Sequence, residues 1–480
     1  MTIVITFCAF LLFFVGVGIW SSREKSETTE DYLVASRSVS PWLVALSAVS
    51  TNNSGYMFIG LIGFTYRVGL SAVWLTMGWV LGDYLTWLWF HGRLRRYSEE
   101  MEVNSVPTLM GTGLGGETSR PITAIAGVAT LIFLALYAAA QLKAGSAATE
   151  TMFGWPSWVG ATVGAVIVLL YCFAGGIRAS IWTDAAQSTV MIVAVFLLVA
   201  YAVGEVGGYG ALTDQLAAID PALVTWTPRD LALGMGIFIV GCLMNGIGGI
   251  GQPHVIIRVM ALDSPDSIGK TRNIYFSWYT MFSLLALLVG LYARVILPDL
   301  GAGLEGQAFT DAAEKALPAL ANHMLPEFLV GVILAGIFAA TMSTADSQVL
   351  ACSAAVTQDL LPQYRDSYGA SKLATVGVAA LALAAALFAT SGVFSIVMSA
   401  WSGLAAMMGP VLCVRLARLP LPTWLGVTMI VVGLGTVIGW TQTPLDGDGG
   451  IMKILPGMLV PALLYAIVYQ LSLKQGASDG

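Results

Sequence analysis

Ser50-Thr51-Asn52-Asn53-Ser54-Gly55 stands inside an apolar run over 42–66, where a membrane helix should carry hydrocarbon side chains. A second such stretch, Asn245-Gly246-Ile247-Gly248-Gly249-Ile250-Gly251-Gln252-Pro253, lies inside the run over 232–257. Backbone that leaves the helix at membrane depth is tolerated only where protein or a wet cavity satisfies its polar groups. The plain alternative is that the glycines only let helices pack closely. That alternative suits one glycine better than two interrupted segments, which together favour broken helices.

The surrounding composition is that of a membrane protein. Of 480 residues, 57% are hydrophobic and 10% charged, with a mean hydropathy of +0.80; a soluble chain carries roughly a quarter charged residues. Runs of the ~20 apolar residues needed to cross a bilayer recur throughout. The sequence predicts an all-α polytopic membrane protein of thirteen spans: 2–20, 42–66, 69–92, 122–149, 157–175, 180–204, 232–257, 274–297, 326–352, 372–391, 393–414, 422–441 and 452–472.

The charges set an expected orientation. With the N-terminus outside, sixteen of the 22 basic residues, including Arg23, Arg93, Arg95, Arg96, Arg258 and Arg418, fall on the inner side, as the positive-inside rule requires. The C-terminus is then cytoplasmic and the protein sits in the inner membrane. Residues 1–20 read as a retained first helix, since no charge precedes the run and basic residues follow it. The net charge of -6 and the scattered basic residues argue against a nucleic-acid partner; membrane lipid is the expected surroundings. Cys8, Cys172, Cys242, Cys352 and Cys413 show no CxxC spacing, so no disulfide framework or zinc site is expected.

Five spans separate the two interrupted ones. Corresponding interruptions in two halves mark inverted-repeat transporters and their binding sites. The expected organisation is one transporter domain: an extra helix at 2–20, a first repeat over 42–204, a second over 232–414 and two further helices over 422–472.

The run over 326–352 carries Ala340-Thr341-Met342-Ser343-Thr344-Ala345-Asp346-Ser347. Ser343, Asp346 and Ser347 share a helix face. Hydroxyls and the carbonyls of an unwound segment supply the oxygen ligands a hard cation such as sodium needs. Single hydroxyls could instead bond back to their own helix, but a carboxylate at mid-membrane costs at least ~2.5–3.5 kcal/mol and demands a partner. Asp184 has two readings: a salt bridge to nearby Arg178, or ligand of a second cation shared with Asp346, Ser343 and Ser347. Tyr137 and Gln141, four apart on one helix, offer an aromatic wall and an amide, although tyrosine alone suits core packing. Lys143 snorkels, pairs with Glu150 or acts as a fixed internal cation.

Three segments carry a resemblance to the sodium/solute symporter family: Gly-Ile-Arg-Ala-Ser-Ile-Trp-Thr-Asp at 176–184, Gly-Gln-Pro-His-Val-Ile-Ile-Arg-Val-Met-Ala at 251–261 and Ser-Thr-Ala-Asp-Ser-Gln-Val-Leu at 343–350. The last two look most like the sodium/proline branch, and the resemblance covers essentially all thirteen spans. It implies a five-plus-five inverted repeat (LeuT-like fold) with Na+ as coupling ion. The implied main sodium ligands are the carbonyls of Ser50, Asn53 and Ala340 with the hydroxyls of Ser343 and Thr344. A second site, present in some members, maps onto Asp184, Ser343, Asp346 and Ser347.

Asn52 stands where proline symporters carry an aspartate, and Asn245 and Gly249 where they carry a tryptophan and a tyrosine; Ser54 and Tyr137 match. The expected solute contacts are Asn52, Ser54, Gly55, Tyr137, Gln141, Asn245 and Gly249. The expected function is sodium-coupled uptake of a small organic solute, proline or another small amino acid first, a carboxylate such as pantothenate or a monocarboxylate second. An intramembrane enzyme using Asp184 and Asp346 is the rival of a different class, and a channel or transporter-like sensor a further one. The sequence leaves the oligomeric state open.

Overall fold

The computed structural model describes residues 1–229, 231, 233–388, 393–447 and 450–478. Ala232, and residues 389–391 of the run expected at 372–391, lie outside the described residues. The helices that build the bundle and its two breaks are α1 (Thr2–Ser21), α2 (Pro41–Gly55), α3 (Ile62–Val68), α4 (Val73–Glu100), α5 (Arg120–Phe153), α6 (Ser157–Val206), α7 (Gly234–Ile247), α8 (Pro253–Met260), α9 (Ile268–Ile296), α10 (Glu327–Ala354), α11 (Tyr368–Phe388), α12 (Val393–Leu416), α13 (Thr423–Trp440) and α14 (Ile454–Ser478). Among the described residues β-pairing is confined to two isolated bridges, Val39 with Leu262 and Thr112 with Thr118.

Among the described residues, eleven helical stretches are long and apolar enough to cross a membrane. Two are too long for one crossing: Pro41–Glu100 has 60 residues and Ser157–Val206 has 50, or about 90 and 75 Å of straight helix against a core of ~30 Å. Each folds back on itself at a glycine. Gly69 has φ +68° and a Cβ there would lie 2.1 Å from the carbonyl oxygen of Leu223; Gly176 has φ +55° and a Cβ would lie 2.4 Å from that of Tyr32. Only glycine combines that backbone conformation with that closeness. Counting each as two crossings gives the thirteen that the sequence predicts.

The centre of the bundle is α10, buried without interruption from Val330 to Ala354. A helix buried all round belongs inside the protein, so its polar residues face protein rather than lipid. It packs against α1, α2, α5 and α6. Large apolar side chains point outward from peripheral helices, among them Leu12, Phe196, Leu373 and Leu463.

Both polar stretches leave the α-helix. Ser54 takes φ 22°, ψ 176°, and a π-turn over Tyr56–Leu61 leads into α3. At the second stretch a 3-10 turn over Gly248–Gly251 is followed by Gln252 at φ -103°, ψ 96°. Pro253 then opens α8 at a first-turn position, where the missing N–H costs nothing.

The glycines of the second stretch divide by role. A Cβ at Gly246 would meet the carbonyl oxygen of Trp79 at 2.1 Å, and one at Gly248 would meet Ile454 at 2.6 Å. Those two are packing glycines. Among the described residues, and apart from its own segment, a Cβ at Gly249 would have one neighbour within 4 Å, a carboxylate oxygen of Asp83 at 3.6 Å.

Candidate functional site

The break in α2 lies against the middle of α10. Ser343 Oγ stands 3.2 Å from the carbonyl oxygen of Ser50 and 3.1 Å from that of Ala340. Thr344 Oγ1 stands 2.9 Å from the carbonyl oxygen of Thr51 and 3.2 Å from that of Ala340. Five oxygens, three carbonyl and two hydroxyl, thus converge between the two helices. Four of them belong to the expected main sodium ligands, and the Thr51 carbonyl is an addition. The Asn53 carbonyl instead accepts from the Tyr56 N–H, and the Asn53 side chain donates back to Val49. All these residues are buried.

One turn along α10 lies a charged cluster. Arg258, at the end of α8, reaches into the core so that its Nη2 is 3.4 Å from Asp184 Oδ2 and 3.3 Å from Asp346 Oδ1. The same nitrogen bonds the hydroxyls of Ser180 and Ser347, and Ser47 donates to Asp184 Oδ2 at 2.6 Å. This corrects the salt bridge expected between Asp184 and Arg178: the backbone reversal at Gly176 turns Arg178 toward Asp31 instead. Of the residues expected at the second sodium site, Asp184, Asp346 and Ser347 gather around the Arg258 guanidinium, whereas the Ser343 hydroxyl faces Ser50 and Ala340. Asp184 Oδ1 and Asp346 Oδ2 remain buried without a hydrogen-bond partner. Thr51 joins the two clusters, its hydroxyl 2.9 Å from that of Ser347.

The expected solute contacts fall into three groups. In the first, Gln141 Oε1 accepts from the N–H of Gly55 at 2.7 Å and Ser54 Oγ from that of Tyr56 at 3.1 Å, so side chains satisfy the backbone freed at the break. Ser54 and Tyr137 hydroxyls approach to 3.5 Å, and the Tyr137 ring meets His254 edge-on at 5.5 Å. Lys143 lies half-buried two residues beyond Gln141 on α5.

In the second group, Asn52 donates to Tyr275 at 2.7 Å and lies 3.4 Å from Asp83 Oδ2. Tyr275 in turn donates to Asp83 Oδ2 at 2.7 Å, and Gly249 faces the same carboxylate. The third group is Asn245 alone, one turn before Gly249. It lines a cavity of about 190 Å³ with Leu75, Ser395, Met398, Ser402 and Met452, open beside the loop at Asp446. Tyr56, Trp79 and Trp401 form a chain of ring contacts at this level, with centroids 5.0 and 5.3 Å apart, and the Trp401 indole donates to the Asn245 carbonyl.

The match to the family model described as "Sodium:solute symporter family" extends over residues 32–417, which takes in both breaks, α10 and Arg258. The chain belongs to the sodium:solute symporter family. The sodium/proline symporter of Escherichia coli strain K12 is 32% identical over 95% of this chain and 90% of its own length. That of Staphylococcus aureus strain USA300 is 29% identical over 98% and 93%.

Among solved structures, a Na+-coupled sialic acid symporter in a substrate-bound outward-open state superposes with a TM-score of 0.80 at 18% identity, covering 98% of both chains. A nucleobase-cation-symport-1 family transporter gives 0.56 at 15% identity, over 92% of this chain and 94% of its own. These likenesses establish the fold, the LeuT-like helical architecture that the sequence predicts. Family membership makes this a multi-pass membrane transporter that couples sodium to a small organic solute, and sets aside the intramembrane enzyme.

Three residues of the symporter core are not singled out by sequence alone. Asp83 is signalled by being a carboxylate inside an apolar span. Arg258 and Tyr275 carry no such signal, because each acts through partners remote in sequence.

Proposed function

We propose that this symporter draws sodium inward through the inner membrane to accumulate a small organic solute, proline or another small amino acid in the first place. The observation that carries the reading is the meeting of Ser50, Thr51 and Ala340 carbonyls with the Ser343 and Thr344 hydroxyls. Hard cations take oxygen ligands, and a neutral set binds a monovalent ion without holding it too tightly to release. The α2 carbonyls of this set, Ser50 and Thr51, accept from the Ser343 and Thr344 hydroxyls, so an ion between the helices would draw on both partners.

Sodium entering from outside pins the broken α2 against α10 and so shapes the space around Asn52, Ser54, Tyr137 and Gly249. The rings of Tyr56, Trp79 and Trp401 pack in a row that ends at Asn245. Residues 42–204 and 232–414 move as the two repeats, with the N-terminus outside and the C-terminus cytoplasmic. At the second cluster two carboxylates and one guanidinium leave one net negative charge, which a further cation at Asp184 Oδ1 and Asp346 Oδ2 would balance. Lipid covers the apolar belt.

The driving force is adequate. One charge crossing 100 mV supplies ~2.3 kcal/mol, and a tenfold ion gradient about 1.4 kcal/mol more, enough for accumulation on the order of several hundredfold. Purified protein in proteoliposomes, given labelled L-proline under an inward sodium or potassium gradient, tests the reading. Sodium-stimulated accumulation supports it. Equal flux under both gradients would indicate a channel, and uptake of pantothenate or a monocarboxylate in place of amino acids would move the substrate class.

A further inference from the structure

Asp83 is a buried carboxylate within a membrane-crossing stretch. Among the described residues it has no lysine, arginine or histidine nitrogen within ion-pair distance. Two other buried carboxylates, Asp184 and Asp346, share Arg258, and Asp359 accepts from the hydroxyls of Ser105 and Thr108. A charge at this depth calls for a cationic partner, and the two oxygens of Asp83 are not equally provided for.

Oδ2 accepts from the Tyr275 hydroxyl at 2.7 Å and lies 3.4 Å from the Asn52 amide. Oδ1 has the Thr86 hydroxyl at 3.3 Å, whose shorter contact, 2.6 Å, goes to the Asp83 carbonyl. On the side of Oδ1 lies Gly249, where an added Cβ would make ordinary contact with that oxygen at 3.6 Å. Gly246, Gly248 and Gly251 around it would each bring a Cβ within 2.6 Å of a neighbouring atom. An anionic acceptor whose Oδ2 is held by Tyr275 thus turns its other, more weakly bonded oxygen toward Gly249 of the second broken segment.

We propose that Asp83 Oδ1 receives the positively charged nitrogen of the transported solute, so that an ammonium group is a requirement for transport and nitrogen-free carboxylates are excluded. Asn52 and Tyr275 are positioning residues that fix the carboxylate through Oδ2. The inference rests on the reading of the chain as a sodium-coupled carrier of small organic solutes and narrows its substrate class. It separates the amino-acid reading from the carboxylate reading by a charge that the protein itself supplies.

The test is competition and substitution in proteoliposomes under a sodium gradient. Labelled L-proline and a panel of small amino acids are offered alone and against tetrahydrofuran-2-carboxylate, which keeps the ring and carboxylate but replaces nitrogen by oxygen. In the unsubstituted protein the oxygen analogue should compete at least tenfold worse than the amino acid. Asp83→Asn should raise the solute concentration for half-maximal uptake about ten- to a hundredfold, the range for losing one charge-assisted hydrogen bond, and should lose the discrimination. Gly249→Val, which keeps the carboxylate and fills the space beside it, should raise the same concentration. A sodium-induced rise in melting temperature retained by Asp83→Asn would show that the variant is folded.

Equal competition by the oxygen analogue, or an unchanged half-saturation in Asp83→Asn, would overturn the proposal. So would sodium-driven uptake of nitrogen-free carboxylates alone, with symport itself left standing. No sodium-stimulated uptake of any solute would instead overturn the underlying reading and the proposal with it.

Discussion

Arg258 Nη2 lies 3.3 Å from Asp346 Oδ1 although 88 positions of sequence separate the two residues, and both side chains are fully buried. The guanidinium is shared with Asp184, so one positive charge serves two carboxylates. Removing one partner of a buried ion pair leaves an uncompensated charge and costs about 3–5 kcal/mol. Arg258→Ala is therefore expected to lower thermal stability in detergent sharply. The double variant Asp184→Asn with Arg258→Ala should recover part of the loss, read as a melting temperature above that of the single variant.

A second prediction concerns the break in α2. Gln141 Oε1 accepts from the buried Gly55 N–H at 2.7 Å, next to the non-helical Ser54. Gln141→Leu leaves it unsatisfied, at a cost of about 1–3 kcal/mol. Gln141→Glu keeps an acceptor at that position and should destabilise less. Melting curves of the two variants give the ordering.

A third concerns the reversal within α6. Gly176→Ala places a Cβ 2.4 Å from the Tyr32 carbonyl oxygen in a left-handed backbone. Strain of this kind costs of order 1–3 kcal/mol before the clash is counted. The expected outcome is poor folding yield, whereas Gly435→Ala, with no atom near its added Cβ, should be neutral by the same assay.

The crossings were legible in the sequence because apolar length alone decides them. The two breaks were legible because polar residues and proline at membrane depth rarely persist unless the helix opens there. What was not legible is which polar groups meet. Asp184 sits six residues from Arg178, yet the turn at Gly176 sends that arginine to Asp31 and leaves Asp184 to an arginine on α8. Asn52 could be read as a pocket residue, but its partners Asp83 and Tyr275 lie 31 and 223 positions away. Helical spacing identifies a face; it does not say which other helix that face will find.

The most direct test of the central claim is a sodium titration of solute uptake in Ser343→Ala and Thr344→Ala beside the unsubstituted protein. Each variant deletes one of five converging oxygens, 3.2 Å from Ser50 O in the first case and 2.9 Å from Thr51 O in the second. Losing one ligand hydroxyl should raise the sodium concentration for half-maximal uptake roughly tenfold, on the scale of a hydrogen bond to a charged group. Uptake that saturates in both variants at the unsubstituted sodium concentration would place the coupling ion elsewhere.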